Sequence, residues 1–201
     1  MMRLIISVIF VFILFGFSKP RIELYILDDS IQSGKQVNIE LRNNSKSNFC
    51  FIIDTLFYNS NEDYYGGTFI NPKIFLTDLK GNDLPIIRGI KDSAQKNDTL
   101  KVIDNTSKIG SSLRFFVVKA GKSLKLKIPF NLVVKFLKSK THEFYEIDKK
   151  RKYNGSVIYV INQNFIDRNC SKKQINSLKN NNIVLFNGSL SSNKVPLIFQ
   201  P

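Results

Sequence analysis

Leu113–Phe130 is the stretch that most constrains the fold of this chain. Residues that favour strands are dense at Phe115–Val118, and Gly121 then provides a turn position that tolerates a positive φ. Apolar and basic side chains next alternate over five positions: Leu124, Lys125, Leu126, Lys127 and Ile128. A period of two is typical of a strand with one buried face. The stretch therefore predicts a β-hairpin.

Shorter strands are predicted on both sides of this hairpin. Val37, Ile39 and Leu41 alternate with polar residues, and Arg21–Leu27 has a similar alternation. Phe49–Phe57 is apolar on both faces, as expected of a central strand that is covered on both sides. These patterns predict a sheet with a buried central strand.

Two further pairs of strands are predicted from turn residues. Lys73–Thr77 and Leu84–Arg88 flank a polar turn, which indicates paired strands. His142–Ile147 and Ser156–Ile161 are interpreted as a second hairpin, with Asn154-Gly155 as its turn signal.

One helix is predicted, at Ser171–Lys179. Ser171 is a candidate N-cap and Gln174 follows three residues later, which is the spacing of a capping box. The other elements are about nine or ten short strands. They predict an all-β fold, mainly antiparallel: a single sandwich domain over residues 19–201 with extra strands, long loops and one short helix.

Two segments carry a family resemblance. Gly34–Ser45 resembles the second strand of immunoglobulin-like domains in bacterial exported proteins, and Val118–Ile128 resembles a later hairpin of the same class. The resemblance implies an immunoglobulin-like β-sandwich. The chain departs from antibody domains because it has no Trp and its two cysteines are far apart, so no functional residue is carried over.

The first residues are typical of a secretory signal peptide. A short positive start at Met1–Arg3 precedes a nearly unbroken apolar run at Leu4–Phe17, and cleavage is expected after Ser18. The run is about fourteen residues, shorter than the roughly 20 that span a bilayer. We expect a secreted or periplasmic protein with no stable membrane span, and an uncleaved N-terminal anchor is the alternative.

The chain has a formal net charge of +14. Basic residues concentrate in the second half, and seven of them are candidates for polyanion binding: Lys122, Lys125, Lys127, Lys149, Lys150, Arg151 and Lys152. Such a basic face suits phosphates or anionic glycans. The alternative is that outward lysines keep the sheet soluble and protect its edges.

Nucleophilic catalysis with a His base and a zinc site made of His and Cys have few residues to draw on, whereas the paired carboxylates Asp28-Asp29, Glu62-Asp63 and Asp78 with Asp83 are interpreted as turn residues. His142 is the single histidine, so a zinc site built only from His and Cys would be one ligand short. We expect no catalytic residues, metal site or cofactor. Cys50 and Cys170 are the two cysteines; in an exported protein they are either a disulfide or two separate thiols.

The sequence predicts a non-enzymatic exported module for binding or assembly, whose partner is a protein or an anionic glycan or lipid rather than nucleic acid. The alternative function is a secreted protease inhibitor that presents an extended loop, either Asn59–Gly67 or Gly89–Ser112.

Overall fold

The computed structural model describes residues 22–54, 64–65, 68–90, 100–103, 113–136 and 141–199. Within these ranges the chain forms sixteen strands and two helices. The first eight strands are β1 (Ile22–Ile26), β2 (Ile31–Gln32), β3 (Gln36–Asn43), β4 (Asn48–Asp54), β5 (Tyr64–Tyr65), β6 (Thr68–Asp78), β7 (Ile86–Ile90) and β8 (Leu100–Ile103). The later elements are β9 (Leu113–Val118), β10 (Ser123–Pro129), β11 (Val133–Phe136), β12 (Thr141–Tyr145), β13 (Tyr153–Ile161), α1 (Gln163–Asn169), α2 (Lys172–Asn180), β14 (Ile183–Leu185), β15 (Gly188–Ser191) and β16 (Val195–Ile198).

The strands form four sheets, with the orders β1-β3-β10, β14-β4-β9, β7-β12-β11-β8 and β2-β16-β13-β6-β5, and β15 also pairs with β13. Among the described strands, nine pairings are antiparallel and three are parallel. The prediction of a mainly antiparallel, all-β fold is confirmed.

The predicted hairpin at Leu113–Phe130 is wrong in its pairing. Both strands form, but β9 pairs with β4 and β10 pairs with β3, in different sheets. Gly121, at φ 68°, makes the turn between them. The backbone NH of Gly121 donates to the Asn43 carbonyl (2.8 Å), and the Asn43 NH donates to the Lys122 carbonyl (2.9 Å). The turn is therefore bonded to the end of β3 and lets the chain change sheets.

The predicted hairpin of His142–Ile147 with Ser156–Ile161 is also wrong. β12 pairs with β7 and β11, whereas β13 pairs with β6, β15 and β16. Gly155 lies inside β13 rather than in a turn, and a side chain there would overlap the buried Ile31 Cδ1. The strand predicted at Leu84–Arg88 forms as β7, but it pairs with β12 rather than with Lys73–Thr77. An isolated β-bridge between Thr77 and Asp83 connects the segment before β7 to β6.

The core forms where the alternation predicted it. Alternate residues of β1 and β3 are buried: Ile22, Leu24, Ile26, Val37, Ile39 and Leu41. β4 is the central strand of its sheet, and every residue of Cys50–Asp54 is buried, which confirms the prediction for this part of Phe49–Phe57; residues 55–57 lie outside the described residues.

Three aromatic side chains pack together inside the core. Phe51 stacks on Phe186 with ring centroids 5.2 Å apart, and Tyr159 lies 6.1 Å from Phe51. The Tyr159 hydroxyl donates to the Ile52 carbonyl (2.8 Å), so its one polar atom has a partner. Burial raises the pKa of Tyr159 well above its ordinary value.

Only one of the two described helices was predicted from the sequence. α2 has the predicted capping box: Gln174 N donates to Ser171 Oγ, and the Gln174 side chain accepts from Ser171 N (2.8 Å). α1 was not predicted from the sequence. Its N-cap Asn162 accepts from Phe165 N (2.9 Å), and Phe165 and Ile166 are buried. The expectation of a single helix was therefore wrong.

Several expectations fall on other parts of the chain. The predicted leader, residues 1–18, lies outside the described residues, as do most of the loops Asn59–Gly67 and Gly89–Ser112. In the ranges that are described, no helix is both long and apolar enough to cross a membrane.

Candidate functional site

The seven predicted basic residues fall in three places. Lys122 follows the Gly121 turn, and Lys125 and Lys127 lie on β10. The other four occupy the loop between β12 and β13: Lys149, Lys150, Arg151 and Lys152. A strand rises about 3.3 Å per residue, so the backbones of Lys122 and Lys127 are roughly 16 Å apart. Lys125 and Lys127 belong to the β1-β3-β10 sheet, whereas the loop joins strands of two other sheets.

The outward side of the β1-β3-β10 sheet, which we call the sheet face, carries charges of both signs. Lys125 pairs with Glu40 across the strands, and Lys127 pairs with Asn38. Six charged side chains lie on or beside this side of the sheet: Glu23, Asp28, Glu40, Arg42, Lys125 and Lys127. Three cations therefore meet three carboxylates, and these six side chains give the sheet face no excess of positive charge.

Glu40 is the centre of a polar network on the sheet face. Its carboxylate accepts from Ser123 Oγ (2.8 Å) and from Arg42 Nε (2.6 Å). The Ser123 hydrogen bond, more than the Arg42 contact, lowers the pKa of Glu40 below its ordinary value. Arg42 also lies over the Tyr25 ring, with its guanidinium carbon 4.4 Å from the centroid. Glu40 is only 7% exposed, so its carboxylate interacts with neighbouring side chains of the sheet rather than with solvent.

An open groove of about 420 Å³ lies beside this network. It is lined by Leu27, Asp28, Asn38, Lys125, Leu126 and Lys127. Asp28 accepts from the Asn38 backbone NH (2.6 Å) and from Asn38 Nδ2 (2.7 Å). The carboxylate therefore stays next to the two lysines and opposes the binding of an anion there.

The loop Lys149–Lys152 presents its cations differently. All four side chains are exposed. The Arg151 NH donates to the Asp148 carbonyl (2.9 Å), and the Lys150 NH donates to Asp148 Oδ1 (3.0 Å), which closes a tight turn. The Asp148 NH donates to the hydroxyl of buried Tyr153 (3.1 Å) and ties the turn to β13. The hydrogen-bonded turn therefore holds four consecutive cationic residues whose side chains are exposed to solvent.

Asp148 forms an ion pair with this loop. Its Oδ2 lies 3.4 Å from Arg151 Nε, and the Asp148 and Arg151 side chains are 51% and 77% exposed. An ion pair this exposed is weak because water and salt screen it. The pair therefore leaves the Arg151 and Asp148 side chains largely in solvent.

Two further lysines, which were not predicted from the sequence, lie at the turn beside this loop. Tyr153 pairs with Asp78, so the loop lies beside the turn that contains Lys80. Lys194 Nζ is 3.9 Å from the position that a Gly81 Cβ would occupy. We call the resulting set the basic end: Lys80, Lys149, Lys150, Arg151, Lys152 and Lys194. No local pattern could reveal this set, because the pairing of Tyr153 with Asp78 places the loop beside Lys80, and Lys194 Nζ reaches the Gly81 turn from the residue before β16.

The carboxylates at the basic end are fewer than its cations. Asp78, Asp83 and Asp148 lie in the same turns, and Glu146 precedes the loop. Asp78 accepts from Asn82 N (2.9 Å) and Asn82 Nδ2 (2.8 Å), and the side-chain hydrogen bond is the main reason that its pKa is lowered. Positive charge is therefore in excess here, with six cations facing four carboxylates.

A small cavity whose lining includes two charged side chains lies between β6 and β12. Lys73 and Glu143 are nearly fully buried at its wall, and the neighbouring Tyr145 hydroxyl donates to the Ile74 carbonyl (2.9 Å). Burial raises the pKa of Tyr145. The cavity measures about 20 Å³, which is room for about one water molecule.

Both cysteines are free and buried in the structure. Burial is the main cause that raises the pKa of Cys50 to about 12, and it also raises the pKa of Cys170. A disulfide between them stays a prediction. Across the described part of the chain, no group of three or more His, Cys, Asp or Glu side chains is arranged to hold a metal ion.

Comparisons with protein-family models, with curated proteins and with solved structures find no match to this chain.

Proposed function

We propose that this protein is an exported, non-enzymatic binding module that attaches to polyanionic surfaces through its basic end. The signal-like leader supports export. The fold that we propose is an elaborated immunoglobulin-like β-sandwich. The β3–β4 and β9–β10 connections support it, because each joins the β1-β3-β10 sheet to the β14-β4-β9 sheet.

The observation that carries the binding proposal is the exposed loop Lys149–Lys152. Four consecutive cations lie on a hydrogen-bonded turn that contains one partly exposed carboxylate. Lys80 and Lys194 extend the positive surface beyond the loop. Exposed lysines attract phosphate or sulfate groups by charge and release condensed counterions, with little dependence on the identity of the ligand.

The sheet face is a poorer candidate for the same role. Its lysines lie next to Glu40 and Asp28, so a polyanion would meet repulsion as well as attraction. We therefore assign the contact to the basic end rather than to Lys125 and Lys127.

Heparin is a suitable probe, and the loop variant replaces all four cations by Gln: Lys149→Gln, Lys150→Gln, Arg151→Gln and Lys152→Gln. We expect the affinity for heparin, measured by titration at several salt concentrations, to fall by roughly tenfold or more at low salt. The slope of log affinity against log salt should fall by about three units, since each lost contact removes close to one released counterion.

A charge-matched control changes one Arg and three Lys at the helices: Arg168→Gln, Lys172→Gln, Lys173→Gln and Lys179→Gln. These side chains are all exposed and follow the other end of β13. We expect this control to keep most of the affinity and the salt slope. Equal losses in the two variants would mean that net charge alone drives binding, and an unchanged loop variant would refute the proposal.

The source of the anionic groups is tested separately. Vesicles that contain phosphatidylglycerol present phosphates on a lipid surface, whereas heparin presents sulfates on a glycan. Binding to both, with the loop variant weakened in both, is expected from charge recognition without specificity. Binding to only one of them would identify a glycan or a lipid surface as the partner.

A further inference from the structure

We propose that Cys50 and Cys170 form a disulfide bond that ties the start of α2 to the central strand β4. The structure contains the two residues as buried free thiols, so the proposed bond belongs to the oxidised form of the protein. The bond would be a modification site inside the core and would be independent of the basic end.

The path of the chain brings the two cysteines towards the same place. Cys170 ends α1, and α2 begins two residues later. α2 has nine residues and so extends about 13 Å. The chain then turns at Asn181–Asn182 and continues as β14, against which α2 packs. Because the chain folds back, the start of α2 lies beside the end of β14.

The end of β14 is also where Cys50 lies. Leu185 is the β-partner of Cys50, and the Phe186 NH donates to the Cys50 carbonyl (2.9 Å). Phe186 and Cys170 belong to the same buried apolar cluster. The register of β14 on β4 therefore places Cys50 next to the residues that the start of α2 approaches.

The titration of the thiols agrees with this geometry. After burial, the charge of Cys170 is the second cause that raises the pKa of Cys50. A neighbouring like charge has such an effect at short range. The raised pKa values also mean that few thiolates exist near neutral pH, so oxidation should be faster while the chain folds than after the helices have packed.

The chemistry needs an oxidant, and a low-molecular-weight disulfide such as oxidised glutathione supplies it. Each cysteine loses its thiol proton, one sulfur–sulfur bond forms, and two electrons pass to the glutathione disulfide. That disulfide is cleaved and takes up two protons to give two glutathione thiols. Export to an oxidising compartment would provide such an oxidant, so the cellular relevance of the bond rests on the proposed export; the reaction with glutathione does not.

The test refolds the full chain with oxidised and reduced glutathione, denatures it without reductant and alkylates free thiols. We expect no alkylated cysteine, a peptide that joins the segments around Cys50 and Cys170, and a mass lower by two hydrogen atoms. Two alkylated thiols after refolding with oxidant would overturn the proposal, as would bonds that link separate chains.

A stability measurement gives the second readout. Closing so long a loop should favour the folded state roughly a thousandfold in the chain-entropy account. Reductant should therefore lower the denaturation midpoint of the oxidised wild type. The same reductant should leave Cys50→Ala and Cys170→Ala unchanged, whatever their own stability. A wild type whose midpoint does not respond to reductant would contradict the bond.

Discussion

The sheet face and the basic end carry similar lysines but use them differently. On the sheet face, Lys125 stands opposite Glu40, whose carboxylate is already bonded to Ser123 and Arg42. At the basic end, Lys149–Lys152 extend from a turn that Asp148 closes with its carbonyl and its carboxylate, which accept from the Arg151 and Lys150 backbone NH groups. A count of lysines therefore does not measure binding capacity, because the strand register places Glu40 directly beside Lys125.

The largest effect is expected where the basic end is attached to the core. A methyl group at Gly155 would overlap Ile31 Cδ1, and Ile31 is 1% exposed. Gly155→Ala should therefore destabilise the protein by about 1–3 kcal/mol in chemical denaturation, because the packed core must shift. The position lies close to the start of β13, so the substitution also disturbs the support of the loop.

A second substitution checks that reason. Ile31→Val removes the Cδ1 atom that the new methyl group would meet. The double variant should recover part of the lost stability, although Ile31→Val alone costs about 1 kcal/mol. Purely additive losses would place the cause of the Gly155→Ala effect elsewhere, for example in the backbone.

A smaller effect is expected from removing the carboxylate that lies beside the cations of the sheet face. Glu40→Gln removes the carboxylate that holds Arg42 and faces Lys125. Stability should fall by about 1 kcal/mol, which is below the usual range for hydrogen bonds to a charged group because the Arg42 side chain is 45% exposed. Heparin affinity should rise, because the sheet face then has an excess of positive charge.

Glu23→Gln is the matched control for this change. Glu23 lies on the same side of the sheet and accepts from the exposed Asn44 Nδ2 (2.6 Å). It should raise heparin affinity by a similar amount and leave stability nearly unchanged. A sheet face that gains no affinity in either variant would mean that the carboxylates are not what limits binding there.

Glu40 also predicts a dependence of stability on pH. Its pKa is lowered in the folded state from an ordinary value of 4.5, so its contribution is fully present above that pH and is lost as the pH falls through the folded value. Asp78 titrates in the same direction. The difference in unfolding free energy between wild type and Glu40→Gln, measured by denaturation at several pH values, should therefore shrink below about pH 4.5. A difference that stays constant would mean that Glu40 does not titrate in this range.

Local patterns predicted single strands well and their partners poorly. Ile39 and Leu41 are buried as their alternation requires, and Ser171 caps α2 as its spacing predicts. Both predicted hairpins were wrong because a turn residue such as Gly121 reverses the chain without deciding whether the next strand returns to the same sheet. That choice depends on contacts with β3 and β4, which are distant in sequence and leave no mark in a local window.

The candidate site follows the same rule. The four cations of the loop Lys149–Lys152 are adjacent in sequence and were found from it. Lys80 and Lys194 were missed, because Lys80 comes near the loop through the pairing of β13 with β6, and Lys194 through the reach of its Nζ to the Gly81 turn. The carboxylate opposite Lys125 was hidden for the same reason, since Glu40 belongs to a strand far earlier in the chain.

The smallest effect is expected at the carboxylate of the basic end that lies within the loop turn. Asp148→Asn removes the exposed ion pair with Arg151 but keeps an oxygen that accepts from the Lys150 NH. Stability should change by less than about 0.5 kcal/mol, while heparin affinity should rise by about twofold as one negative charge leaves the loop. Asp167→Asn is the control. It removes the same charge from an exposed position on α1, beyond the other end of β13, and should leave the affinity unchanged. If Asp167→Asn raised the affinity as much as Asp148→Asn, heparin would be responding to the charge of the whole protein, and the basic end would lose its distinction from the sheet face.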